Sequence, residues 1–164
     1  MARLFTVVAL IVSAFCFASV LAAPNDASRK DQIFFVNGQI YCDPCAFQLQ
    51  SRLSKPLKGV KVTFECTKGE KNVTFVKEST TDKDGFYNIK VHGYHEEEVC
   101  MVKPVNTKGT CTTFMENNII VPTKMEGVVR VVRVVKPLAF RTKTIDEECY
   151  KLANELGLDK IDDN

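Results

Sequence analysis

Two cysteines separated by two residues, in Cys42-Asp43-Pro44-Cys45, are the side chains of this sequence best suited to covalent chemistry. A Cys-x-x-Cys pair after a strand and before a helix is the arrangement of thiol–disulfide oxidoreductases. There the helix N-terminus and the neighbouring thiol depress the pKa of an attacking thiolate. Four further cysteines follow, Cys66, Cys100, Cys111 and Cys149, and no strand–helix alternation is present to build a parallel α/β sheet. As half of a zinc site the pair has no matching second half, because Cys100 and Cys111 are widely spaced and no His-x-x-x-His lies near them. Six cysteines in an exported chain read instead as three disulfides, with 15 connectivities open to them. A bridge closing a loop of about 100 residues stabilises a fold by roughly 4–5 kcal/mol through the unfolded state. The cysteines are therefore expected to be frame rather than chemistry.

The other candidates are weaker. His92 and His95 stand three apart beside Glu96-Glu97-Glu98, but Gly93 and the flanking strand patterns deny them the helix that would align a metal site, so a solvated acidic loop is expected. Asp82-x-Asp84-Gly85 resembles a fragment of a calcium loop without its later glutamate, and reads as a turn. There is no Gly-x-Ser-x-Gly elbow and no Gly-rich phosphate loop, so nothing points to an enzyme, a cofactor or a metal. Asn72-Val73-Thr74 is an N-glycosylation sequon. Arg130, Arg133 and Lys136 recur at every third position, which in a regular strand puts Arg130 and Lys136 on one face and Arg133 on the other. The simple reading is a strand with a polar face and a bulge or edge at Arg133; the sharper one is a basic stripe for an anionic partner such as an acidic wall polysaccharide.

The elements that must position these residues are mostly strands. Residues 1–22 form a secretory signal peptide, with Arg3 ahead of an apolar run and cleavage expected after Ala22. A membrane anchor is the rival reading, but the run ends without a basic stop-transfer flank, and no other segment is long and apolar enough to span a bilayer. Residues 23–32 form a polar arm, 33–157 the folded domain and 158–164 a polar tail with no lipid-anchor or retention signal. Beyond the leader the chain carries 21 basic and 20 acidic residues, which gives no reason to expect nucleic acid as a partner.

Ile33–Tyr41 reads as a strand interrupted by Asn37-Gly38, and Ala46–Leu53 as a short helix or irregular loop. Val60, Val62, Phe64 and Cys66 alternate with Lys61, Thr63 and Glu65, the period of a half-buried strand. Asn72–Thr80 follows, then Thr81-Asp82-Lys83-Asp84-Gly85 as a hairpin turn, then alternation through Tyr87, Ile89 and Val91. Glu98–Lys103, Asn118–Val121 and Gly127–Val135 are further strands, and Pro137–Phe140 leads into another. About seven strands predict an all-β antiparallel sandwich or barrel. Thr144-Ile145-Asp146-Glu147 is a capping-box pattern opening a short helix through Ile145, Cys149, Leu152 and Leu156, with Gly157 as its stop.

Asn37-Gly38-Gln39-Ile40-Tyr41-Cys42-Asp43-Pro44-Cys45 resembles the signature of the major olive pollen allergen family, the Ole e I-type extracellular proteins of plants. Val60–Cys66, Thr81–Tyr87, Glu97–Cys100, Cys111, Pro137–Phe140 and Cys149 agree with it, over roughly residues 33–150. Ile40 stands where the pattern has valine, and Ala46 where it has arginine, so any interaction carried by that arginine is absent here. The resemblance implies a β-sandwich or barrel with Cys42 paired to Cys111, Cys45 to Cys149 and Cys66 to Cys100. It also implies a secreted, non-enzymatic protein of the extracellular space or cell wall, active in pollen tube or tissue growth and allergen-like. Its partner would be a receptor ectodomain or a wall polysaccharide or glycoprotein. Two alternatives from other classes are a thiol oxidoreductase using Cys42 and Cys45, and a proteinase inhibitor presenting a lysine on Val105–Thr110.

Overall fold

Period-two alternation of apolar and polar residues runs through most of the chain after Ile33, and in the computed structural model it resolves into two packed sheets. The structure describes residues 32–69, 72–105, 107, 109–116, 119–123 and 132–158. The signal peptide, all of the expected arm but Gln32, Arg130, and the tail beyond Leu158 lie outside the described residues.

The elements are β1 (Ile33–Asp43), β2 (Lys55–Pro56), β3 (Lys61–Lys68), β4 (Asn72–Thr80), β5 (Phe86–His92), β6 (Val99–Pro104), β7 (Cys111–Phe114), β8 (Ile119–Val121), β9 (Val132–Val134), β10 (Leu138–Thr142) and α1 (Glu147–Leu156). One sheet has the order β4-β3-β6-β8, antiparallel throughout. The other is organised by β1, whose 11 residues extend roughly 36 Å at ~3.3 Å each, long enough to hold two short partners end to end on each side. Its first half pairs β5 on one side and β9 on the other; its second half pairs β2 and β10, and β10 pairs β7. The β1–β9 and β1–β10 ladders are parallel. The expected antiparallel sandwich of about seven strands is thus a mixed-sheet sandwich with ten strands among the described residues. The strands the sequence did not mark are β2 and β7, whereas β9 and β10 were expected and it is their parallel pairing to β1, made through crossovers, that a local pattern does not encode.

The core lies between the sheets. Phe34, Val36 and Ile40 of β1, Ile89 and Val91 of β5, and Leu138 and Phe140 of β10 meet Val62 and Phe64 of β3 and Val102 of β6. Each such side chain contributes about 1.5–3 kcal/mol by leaving water. Asn37-Gly38, expected to interrupt β1, lies inside it. Gly38 is opposite Tyr87, and a Cβ there would fall 2.3 Å from the Tyr87 hydroxyl, so the missing side chain is what lets the ring lie across the strand.

The expected Asp84-Gly85 hairpin is corrected. The turn itself closes, with Asp82 N–H donating to the Phe86 carbonyl (2.8 Å) and Asp82 Oδ1 accepting from the N–H groups of Asp84 and Phe86 (both 2.9 Å). Its strands do not pair with each other: β4 joins β3 and β5 joins β1, so the turn is a corner between sheets. Gly85, at φ 77°, brings its carbonyl to the Ile40 N–H of β1 (2.8 Å), where any side chain would strike the Ile40 carbonyl.

Helix α1 begins later than the capping-box pattern suggests. Asp146 rather than Thr144 is the N-cap, its carboxylate accepting from Glu148 N–H, and Gly157 at φ 68° closes the C-terminus as expected. Cys149, Leu152 and Ala153 form its buried face, with Leu156 left exposed. Among the described residues no helix is long and apolar enough to cross a membrane.

Candidate functional site

The Cys42–Cys45 motif sits where β1 ends, and the structure spends both thiols on scaffolding. Cys42 pairs with Cys111 at the start of β7, Cys45 with Cys149 in α1, and Cys66 with Cys100 across the β3–β6 ladder. This is the pairing that the resemblance implies. The oxidoreductase alternative fails on it, because Cys42 and Cys45 are bonded to partners 69 and 104 residues away rather than to each other.

Between those cysteines Asp43 is fully buried, 0% exposed. Its carboxylate accepts from Cys45 N–H (3.1 Å) and Gln48 N–H (2.8 Å), so one side chain organises the loop that follows the strand. Burial raises its pKa above the usual 3.8, against the opposing pull of the Gln48, Cys45, Phe47 and Ala46 backbone donors. Ala46–Leu53 is the irregular loop of the two expected options, with Ala46 (φ 56°) and Gln48 (φ 58°) in the left-handed region. Ala46 is the position where the family pattern has arginine. Beside the motif the buried Tyr41 hydroxyl is pushed up to about 12, first by burial and then by the charges of Asp43 and Glu116.

A second, small core under α1 joins Cys45, Cys149 and Leu152 with Phe47, Leu53 and Ile145. At the rim, Arg52 forms a two-bond fork with Glu155 (2.6 and 3.2 Å) that ties the loop to the helix. These contacts enclose a cleft of about 670 Å³, bounded by the loop after Asp43, the Gly109-Thr110 segment, the Thr142–Thr144 turn and the first turn of α1. That volume lies within the range of small-ligand sites. Its lining combines the apolar Pro44, Leu53 and Cys42 with three basic residues, Arg52, Lys55 and Lys143, and two acidic ones, Asp146 and Glu148. Both lysines are exposed and form no ion pair among the described residues. No sequence signal marked them, since 88 positions separate two ordinary lysines that only the fold brings to one cleft.

The remaining candidates resolve as follows. His95 is buried at 8% exposure rather than in a solvated loop. Its ring nitrogens lie 2.7 Å from Glu98 Oε2 and 3.0 Å from the His92 carbonyl, and its ring packs against Phe75 and Phe34. His95, Glu98, Cys66 and Cys100 come within 4.8 Å of one another, but the two sulfurs are bonded together and both ring nitrogens are engaged, so the donor set does not suit a metal. Asn72 is exposed at the start of β4. Arg133 is half-buried between the exposed Val132 and Val134, its guanidinium 5.7 Å from the centre of the Phe34 ring. Lys136 pairs with Glu116 at 2.9 Å. The described part of the expected stripe is thus divided, Arg133 turned to the core side and Lys136 committed to an acid, while Arg130 lies outside the described residues. Of the loop in the inhibitor alternative, Asn106 and Lys108 lie outside them too.

Comparison with known proteins agrees with this geometry. Residues 32–157 match the family described as pollen protein Ole e 1 like. An Olee1-like protein of Betula pendula is 36% identical over 157 residues, covering 91% of this chain and 92% of that one. An anther-specific protein of Solanum lycopersicum is 34% identical, covering 91% and 94%. Among solved structures, the major plantain pollen allergen Pla l 1 superposes with a TM-score of 0.63 at 31% identity, over 72% of this chain and 100% of that one.

Proposed function

The chain belongs to the pollen protein Ole e 1 like family, and on that premise we propose that it is a secreted, non-enzymatic binding protein of pollen. It acts in the extracellular space or cell wall during pollen tube or tissue growth. Its partner is a receptor ectodomain or a wall polysaccharide or glycoprotein. Pollen- and anther-specific proteins and pollen allergens among its relatives support the pollen role. The observation that carries the binding role is the use made of the reactive motif. Both of its cysteines are fixed in long-range bridges that hold several loops at one end of the sandwich, which is how a rigid scaffold presents a recognition surface.

The test is retention of the purified mature protein on isolated pollen-tube walls and on immobilised receptor ectodomains of pollen, across a salt series. Salt-sensitive retention on walls supports the wall partner, and salt-independent capture by an ectodomain supports the signalling partner. Failure to bind either, with intact disulfides, refutes the reading.

A further inference from the structure

We infer that the strap joining β5 to β6, residues 93–98, is a proton-dependent latch, held closed by a proton that His95 and Glu98 keep between them and loosened when that proton leaves. The strap crosses from the sheet built on β1 to the sheet built on β3, so fastening it ties the two layers together at one end of the sandwich. His95 is the fastening. It is 8% exposed, its ring centre 4.8 Å from that of Phe75 on β4 and 6.3 Å from that of Phe34 on β1, with the Cys66–Cys100 bridge beside it. Both ring nitrogens face oxygens: Nδ1 lies 2.7 Å from Glu98 Oε2, and Nε2 lies 3.0 Å from the His92 carbonyl. A carbonyl can only accept, and Glu98 Oε2 also accepts from the Thr74 hydroxyl (2.8 Å), which favours an ionised carboxylate. Only a ring with a proton on each nitrogen satisfies both acceptors. A neutral imidazole has one N–H, so one nitrogen must then turn a lone pair toward an oxygen where little water reaches.

The surrounding charges are few. Glu97 is exposed and pairs with Lys68 of β3 (3.6 Å), Glu96 accepts from the Tyr94 hydroxyl (3.3 Å), and the His92 side chain is exposed. Arg133 of β9 stands 5.7 Å from the centre of the Phe34 ring, where its charge opposes a cation on the imidazole. From β3, β4 and β6 the ring meets Phe75, the Thr74–Glu98 bond and a disulfide that does not titrate. The closed strap therefore holds a proton that the open strap releases to water, and closure weakens as pH rises. Histidine ordinarily exchanges its charge between about pH 5 and pH 8, the range in which the latch works.

The experiment is NMR on the disulfide-intact mature protein labelled with ¹⁵N, across that pH range. The two ring nitrogens of His95 should resonate close together at the acid end, as in an imidazolium, and far apart at the alkaline end. Over the same range the hydrogen-exchange protection of Glu98 N–H, which donates to the His95 carbonyl (3.2 Å), should fall by up to about tenfold per pH unit once intrinsic rates are divided out, the limit for one linked proton. His95→Gln cannot titrate and should show flat protection. Glu98→Gln should also be flat and should keep the parent's acid-side protection. Its amide can donate to a neutral Nδ1 while Nε2–H serves the His92 carbonyl. A ring that stays neutral throughout overturns the inference, as does flat protection in the parent. The same fall in Glu98→Gln as in the parent overturns it too, and that variant and the parent's spectra decide the matter should His95→Gln not fold.

Discussion

Truncating Asp43 to alanine removes the acceptor for two backbone donors, Cys45 N–H and Gln48 N–H, in a place where Cys45 is itself 0% exposed. The buried Cys45 donor left without an acceptor costs about 1–3 kcal/mol and the part-buried Gln48 donor, which water can reach, about 1 kcal/mol, so Asp43→Ala should lose roughly 2–4 kcal/mol. At about 3–5 °C per kcal/mol for a domain of this size, the melting temperature falls by roughly 6–20 °C. Asp43→Asn keeps one acceptor oxygen and buries no charge, so it should lose only about 1 kcal/mol. The pH dependence separates the two forces acting on the carboxyl. Because burial raises its pKa above 3.8 in the folded state, the native protein holds this proton where the unfolded chain has released it. The stability linked to that proton is fully present below the unfolded value and is lost as pH rises through the folded one. Neither alanine nor asparagine titrates, so the stability gap between the parent and either variant should widen as pH falls from 7 to 3. Thermal melts by circular dichroism on the three proteins, at matched ionic strength, measure this directly. A gap that narrows in acid would mean that the N–H donors outweigh burial, and no gap at all for Asp43→Ala would refute its role in holding the loop.

Four further outcomes are expected. Cys45→Ala/Cys149→Ala opens a bridge spanning 104 residues and should cost about 4–5 kcal/mol in urea unfolding, with α1 becoming the first site of limited proteolysis. Gly85→Ala puts a side chain at φ 77° and within 2.4 Å of the Ile40 carbonyl, and should cost roughly 2–4 kcal/mol in the same assay. Tyr87→Phe removes a buried hydroxyl that has no hydrogen-bond partner among the described residues, so its melting temperature should match or slightly exceed the parent's. Asn72, exposed within its sequon, should carry a glycan when the protein is secreted from plant cells, read as a mass shift on the 72–74 peptide that Asn72→Gln abolishes.

What could be read from the chain alone was whatever depends on near neighbours. The alternation through Val60, Val62, Phe64 and Cys66 placed a strand and its buried face, because one side chain in two points inward whatever the partner strand is. The Asp84-Gly85 turn was legible as a reversal and misleading as a hairpin. Turn residues report the backbone angles they tolerate, and pairing is decided by which sheet each flanking strand joins. The parallel ladder between Ile40 and Leu138 joins segments 98 residues apart and left no local trace. The capping motif slipped by two residues because Thr144 and Asp146 are both competent caps and the local sequence does not rank them; the structure uses Asp146.

The same contrast bears on where function resides. The most conspicuous described residues, the Cys-x-x-Cys pair and two of the three basic residues, turn out to be occupied: the cysteines by bridges, Arg133 by the Phe34 ring and Lys136 by Glu116. Residues that hold a fold together are satisfied within it, whereas a residue kept for a partner must meet that partner with its charge still available. Around the cleft Lys55 and Lys143 keep their charges unpaired among the described residues, but so does Glu148 on the same lining, so charge alone does not single out a partner there.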